Sequence, residues 1–72
     1  MVNIPKLKGK MTEKGFTQAR LAKSINVSLS TIQQRFANRG MSFTIGEVEL
    51  ISIALELSID EINEIFFAKR FA

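Results

Sequence analysis

The chain has 72 residues, 46% of them hydrophobic, with no cysteine and no histidine. That length holds one core, and the composition excludes disulfide staples, thiolate metal sites and histidine-based acid–base chemistry. Apolar runs are only a few residues long and the N-terminus, MVNIPKLKGK, lacks a signal-like apolar stretch, so the expected location is cytoplasmic with no membrane partner.

The net charge of +3 hides a division along the chain. Residues 1–40 carry eight bases, Lys6, Lys8, Lys10, Lys14, Arg20, Lys23, Arg35 and Arg39, against the single acid Glu13. Residues 41–68 carry six acids, Glu47, Glu49, Glu56, Asp60, Glu61 and Glu64, and no base. Lys69 and Arg70 follow. The first half suits a polyanion and the second would be repelled by one, unless the two halves are simply solvated faces of opposite sign.

The spacing predicts five short helices and no strand, an all-α chain forming a single domain over residues 1–72. The first begins near Pro5, turns Ile4, Leu7 and Met11 inward and stops at Gly15. Its lysines read as a solvated face before they read as a clamp. Thr17 caps a second helix running to about Ser24, with Leu21, Ala22 and Ile25 inward. Asn26 suits a left-handed turn, and Val27 anchors it. Ser28 caps a third helix that buries Ile32 and Phe36 and ends at Asn38, Arg39 and Gly40.

Thr44 with Glu47 makes a capping box for a fourth helix, about Ile45 to Glu56, apolar enough to be expected at the centre of the fold. Ser58 with Glu61 repeats the box for a fifth helix, about 58–68, whose inward stripe is Ile59, Ile62, Ile65 and Phe66. Phe67 and Phe71 exceed that stripe and read as core, as a homodimer contact, or as contact with another protein.

The segment from Thr17 to Gly40 is therefore two short helices joined by a tight turn. It forms a helix-turn-helix whose second helix can enter the DNA major groove. Ser28, Leu29, Ser30, Gln33, Gln34 and Asn38 are the candidate base-reading or partner-binding residues. Glutamine can pair bidentately with adenine, serine can bond a base edge or phosphate, and leucine can touch a thymine methyl. Thr17, Gln18, Lys23, Arg35 and Arg39 are the candidate phosphate contacts. Solvation of Gln33 and Gln34, and a purely structural cap at Ser28, are the plainer alternatives.

FTQARLAKSINVSLSTIQQRF resembles the helix-turn-helix of the lambda-repressor/Cro-like (XRE) family. The whole chain, ending in an apolar helix that runs into IFFAKR, is similar to small regulators of temperate phages of Gram-positive bacteria. These include Cro-like proteins and modulators of repression, antirepressors that act with a CI-type repressor. The resemblance puts the family's phosphate-clamping glutamine at Gln18 and its base-reading positions at Ser28, Leu29, Ser30, Gln33 and Gln34. Leu29 departs from a polar reader, and Asn26 replaces the usual turn glycine.

Two functions follow from the resemblance. In one the protein is an antirepressor in a bacterial host, binding the N-terminal helix-turn-helix domain of a phage CI-type repressor in the lysis/lysogeny switch, with weak DNA binding of its own. In the other it is a Cro-like DNA-binding repressor acting alone. Asp60, Glu61 and Glu64 are either a solubilising surface or an acidic docking surface for a basic partner. No carboxylate pair stands beside a histidine, cysteine or glycine-rich loop, so no enzyme, metal or cofactor is expected.

Overall fold

Each helix starts where a short polar side chain can accept an orphan backbone N–H. In the computed structural model, which describes residues 2–67, Asn3, Thr17, Ser28, Thr44 and Ser58 are the five N-caps. They open α1 (Ile4–Glu13), α2 (Gln18–Ser24), α3 (Leu29–Ala37), α4 (Ile45–Ala54) and α5 (Ile59–Ile62), and a π-helical turn, Asn63–Phe67, continues α5. Both expected capping boxes form, Thr44 with Glu47 and Ser58 with Glu61.

Four helices end alike, each on a residue with positive φ: Gly15 (74°), Asn26 (63°), Arg39 (58°) and Glu56 (52°). The next N–H in each case reaches back to close the last turn. Phe16 donates to Met11 O, Val27 to Ala22 O, Gly40 to Arg35 O and Leu57 to Ser52 O, at 2.7–2.9 Å. Asn26 thus has the backbone its position predicts. Glu56 turns left-handed, which is why α4 stops at Ala54 instead of running to Glu56.

One core draws on α1 to α4 and the π turn. Leu7, Met11, Leu21, Ala22, Ile25, Ile32, Ile51, Leu55, Ile65 and Phe66 are buried together. Phe43 joins the core edge-on to both Phe36 and Phe66, with ring centroids 6.1 and 6.4 Å apart. The Asn3 N–H donates to Ile65 O at 2.7 Å, tying the start of α1 to the π turn.

Two expectations are corrected. The fourth helix is not central: only Ile51 and its cap Leu55 are buried, while Ile45, Leu50 and Ile53 are exposed. Hydrophobic residues on every side overstate burial when the neighbouring helices are too few to cover them. The fifth helix is not one regular helix either. Ile59 lies outside the core, 77% exposed, and the register changes at Asn63 so that Ile65 and Phe66 point inward. Phe67 is exposed. Phe71 and the expected helix end at 68 lie outside the described residues.

Candidate nucleic-acid interface

The left-handed Asn26 and buried Ile25 set the angle at which α3 leaves α2. Ser28 then starts α3: its hydroxyl oxygen accepts the Thr31 N–H at 3.0 Å and its O–H donates to Thr31 Oγ1 at 2.9 Å. This hydroxyl is engaged as a cap. Ile32 is the one residue of α3 that is fully buried, and Phe36 is half-buried beside it. That rotation leaves Ser30, Gln33, Gln34 and Ala37 exposed along the outward face, with Leu29 at its leading edge, 42% exposed. Asn38 caps the far end, and its side-chain amide donates to Ser42 Oγ.

Of the candidate phosphate contacts, Thr17 caps α2 by accepting the Arg20 N–H at 3.1 Å. Gln18 is the first residue of α2 and half-buried, and Lys23 and Arg39 are exposed. Arg39 holds a left-handed backbone immediately after the cap of α3. Arg35 is placed differently. Its Nε and Nη2 donate to the two carboxylate oxygens of Glu47 at 3.1 Å each, bracing α3 against the N-terminus of α4. The guanidinium holds the Glu47 carboxyl below the usual carboxylate range, and the Thr44 N–H adds to this against the opposing effect of burial.

Two of the three acids of the fifth helix are also paired. Glu61 pairs with Lys10 and accepts the Ser58 N–H at 2.9 Å, while Glu64 pairs with Lys6. Only Asp60 of the three has no basic partner among the described residues. The two charge blocks of the sequence therefore meet in the fold, where α1 lysines pair with carboxylates of α5 and the π turn. Lys8, Lys14, Arg20, Lys23 and Arg39 have no acid partner among the described residues. Arg20 lies outside the motif pattern of phosphate contacts. Its guanidinium sits 4.2 Å from the Phe16 ring centroid and donates to Gly15 O at 3.2 Å, so a planar cation is held at the entrance to α2. Phe16 precedes the cap of α2, so helical spacing gave no signal for this contact.

The Lys10 ammonium, bonded to Glu61, lowers that carboxyl from 4.5 to about 2, with the Ser58 N–H contributing next. A carboxyl titrating lower in the folded state stabilises the fold above its ordinary value and loses that contribution as pH falls toward about 2. The stability of the unsubstituted chain to urea is therefore expected to fall between about pH 5 and about pH 3. Glu61→Gln, which keeps an acceptor for the Ser58 N–H, should lose less over that window; an equal loss would remove Glu61 from the acid response.

Two short helices meeting across a capped turn, with a polar outward face and flanking cations, define a DNA-binding helix-turn-helix. The family model described as Helix-turn-helix matches residues 7–62, and the chain belongs to that family, of the XRE, lambda-repressor-like type. It is a family of DNA-binding transcription regulators and not an enzyme family. Among curated proteins and among solved structures no match is found. Among the described residues no helix is long and apolar enough to cross a membrane.

Proposed function

We propose that this transcription regulator acts as an antirepressor. The outward face of α3 docks on the helix-turn-helix of a CI-type phage repressor, so that the repressor's reading helix cannot also occupy its operator. The observation that carries this reading is the character of the α3 face. Ser30, Gln33, Gln34 and Ala37 are uncharged, Leu29 stands exposed at its leading edge, and Arg35, the cation within the helix, is bound to Glu47. A neutral surface with an apolar edge is closer to a protein interface than to a phosphate clamp. The five cations without acid partners among the described residues, Lys8, Lys14, Arg20, Lys23 and Arg39, lie outside α3, which is compatible with weak DNA binding beside the protein contact.

The test is co-purification with the N-terminal helix-turn-helix domain of a CI-type phage repressor, followed by size exclusion. A stable complex is expected, and Leu29→Lys should weaken it at least about tenfold by placing a charge in an apolar contact. Separate elution of the two proteins would sink the reading.

One observation favours Cro-like DNA binding instead. Arg39 occupies a left-handed position where glycine is preferred, a conformation that costs a non-glycine residue about 1 kcal/mol or more. Exposed and without an acid partner among the described residues, Arg39 suits a phosphate contact at the end of the reading helix. Arg39→Gly is expected to raise stability by about 1 kcal/mol in urea unfolding. If Arg39 meets phosphate, the same change lowers the slope of log K against log salt by about one. An unchanged slope removes Arg39 from the DNA contacts.

A further inference from the structure

An apolar surface on α4 and α5, away from the outward face of α3, is left open. Between α4 and the start of α5 runs a groove of about 510 Å³ whose apolar walls are Ile45, Val48, Ile53, Leu57 and Ile62. Ile45 is 85% and Ile53 66% exposed. A second hollow of about 260 Å³ shares Ile45 and Val48 with it and continues to Met41 and Phe67, both also exposed. A continuous strip of large aliphatic and aromatic side chains in water marks a contact surface.

The charges around the strip identify its occupant. Glu49 and Glu56 line the groove, and neither has a basic partner among the described residues. Glu56 has a left-handed backbone, so its position on this rim follows from the turn that ends α4. A second copy of the chain would meet this surface by two-fold symmetry, setting the same carboxylates against one another. A helix with apolar anchors at helical spacing and lysine or arginine beside them meets both the groove and its rim.

We infer that the α4–α5 groove is a docking site for a basic amphipathic helix of a partner protein. The site is separate from the α3 face, so it stands whether or not the antirepressor reading does. It gives the regulator two working surfaces: a neutral one on α3 and an acidic, apolar one on α4 and α5.

The test uses the full chain with isotope-labelled isoleucine, leucine and valine methyls, titrated with a designed amphipathic peptide of leucines flanked by lysines. The expected result is a saturable shift of the Ile45, Val48, Ile53, Leu57 and Ile62 methyls, weakened by salt, with the Leu29 methyls unmoved. The same peptide with glutamates for lysines should bind at least about tenfold more weakly, and Glu49→Lys with Glu56→Lys should reverse that preference. Circular dichroism establishes that the double variant is folded. Equal binding of both peptides, shifts centred on α3, or no saturable shift would overturn the inference. Groove shifts that follow protein concentration without peptide would also overturn it, by assigning the surface to a second copy.

Discussion

Gly40→Ala is expected to destabilise the domain by about 2–4 kcal/mol, read as a lower midpoint in urea with an unchanged slope. Two effects add. Gly40 has φ 73°, a backbone that costs an L-residue about 1–2 kcal/mol. A Cβ at this position would also lie 2.6 Å from Val2 Cβ and 2.7 Å from its Cγ2, so the N-terminal strand of chain before α1 has to move. That segment is not free to move without loss, because Asn3 beside Val2 both caps α1 and donates to Ile65 O. Gly15 serves as the control. It has φ 74° with nothing within 4 Å of the added Cβ, so Gly15→Ala should show the backbone cost alone. Equal losses at the two glycines would show that the contact with Val2 contributes nothing.

Ile32→Ala is expected to cost about 2–5 kcal/mol, a large share of the stability available to so small a domain. Ile32 is 0% exposed and is the only fully buried side chain of α3. Its truncation opens a cavity under the helix that carries Ser30, Gln33 and Gln34. Of the other side chains that hold α3, Phe36 is only half-buried and the Arg35–Glu47 pair is a partly exposed ion pair of modest worth. Hydrogen exchange should therefore show faster opening of the α3 amides than of the α1 amides in this variant. Uniform acceleration would mean that α3 opens only with the whole domain. Any function that requires α3 as a preformed surface should weaken along with its protection.

The local sequence determined the helices. Asn3 excepted, the caps at Thr17, Ser28, Thr44 and Ser58 were legible, as were the stops at Gly15 and Asn26, because capping is settled within three or four residues of chain. The inward residues of α1, α2 and α3 followed from helical spacing, and so did the outward set Ser30, Gln33 and Gln34. The ends of the third and fourth helices near Arg39 and Glu56 were also read, but not that these two residues carry the left-handed backbone, since neither residue type prefers it.

Only the tertiary structure decided how the charges and apolar residues were spent. The sequence separates eight bases from six acids, but packing α1 against the fifth helix places Lys6 on Glu64 and Lys10 on Glu61, and packing α3 against α4 places Arg35 on Glu47. An ion pair between distant elements depends on three-dimensional approach that no local pattern encodes. The same holds for Ile45, Ile53 and Ile59, whose hydrophobicity was read as burial and whose exposure depends on how many helices surround α4. Local rules set which residues are helical and which face of each helix is apolar; the number and placement of neighbours set whether that face is covered.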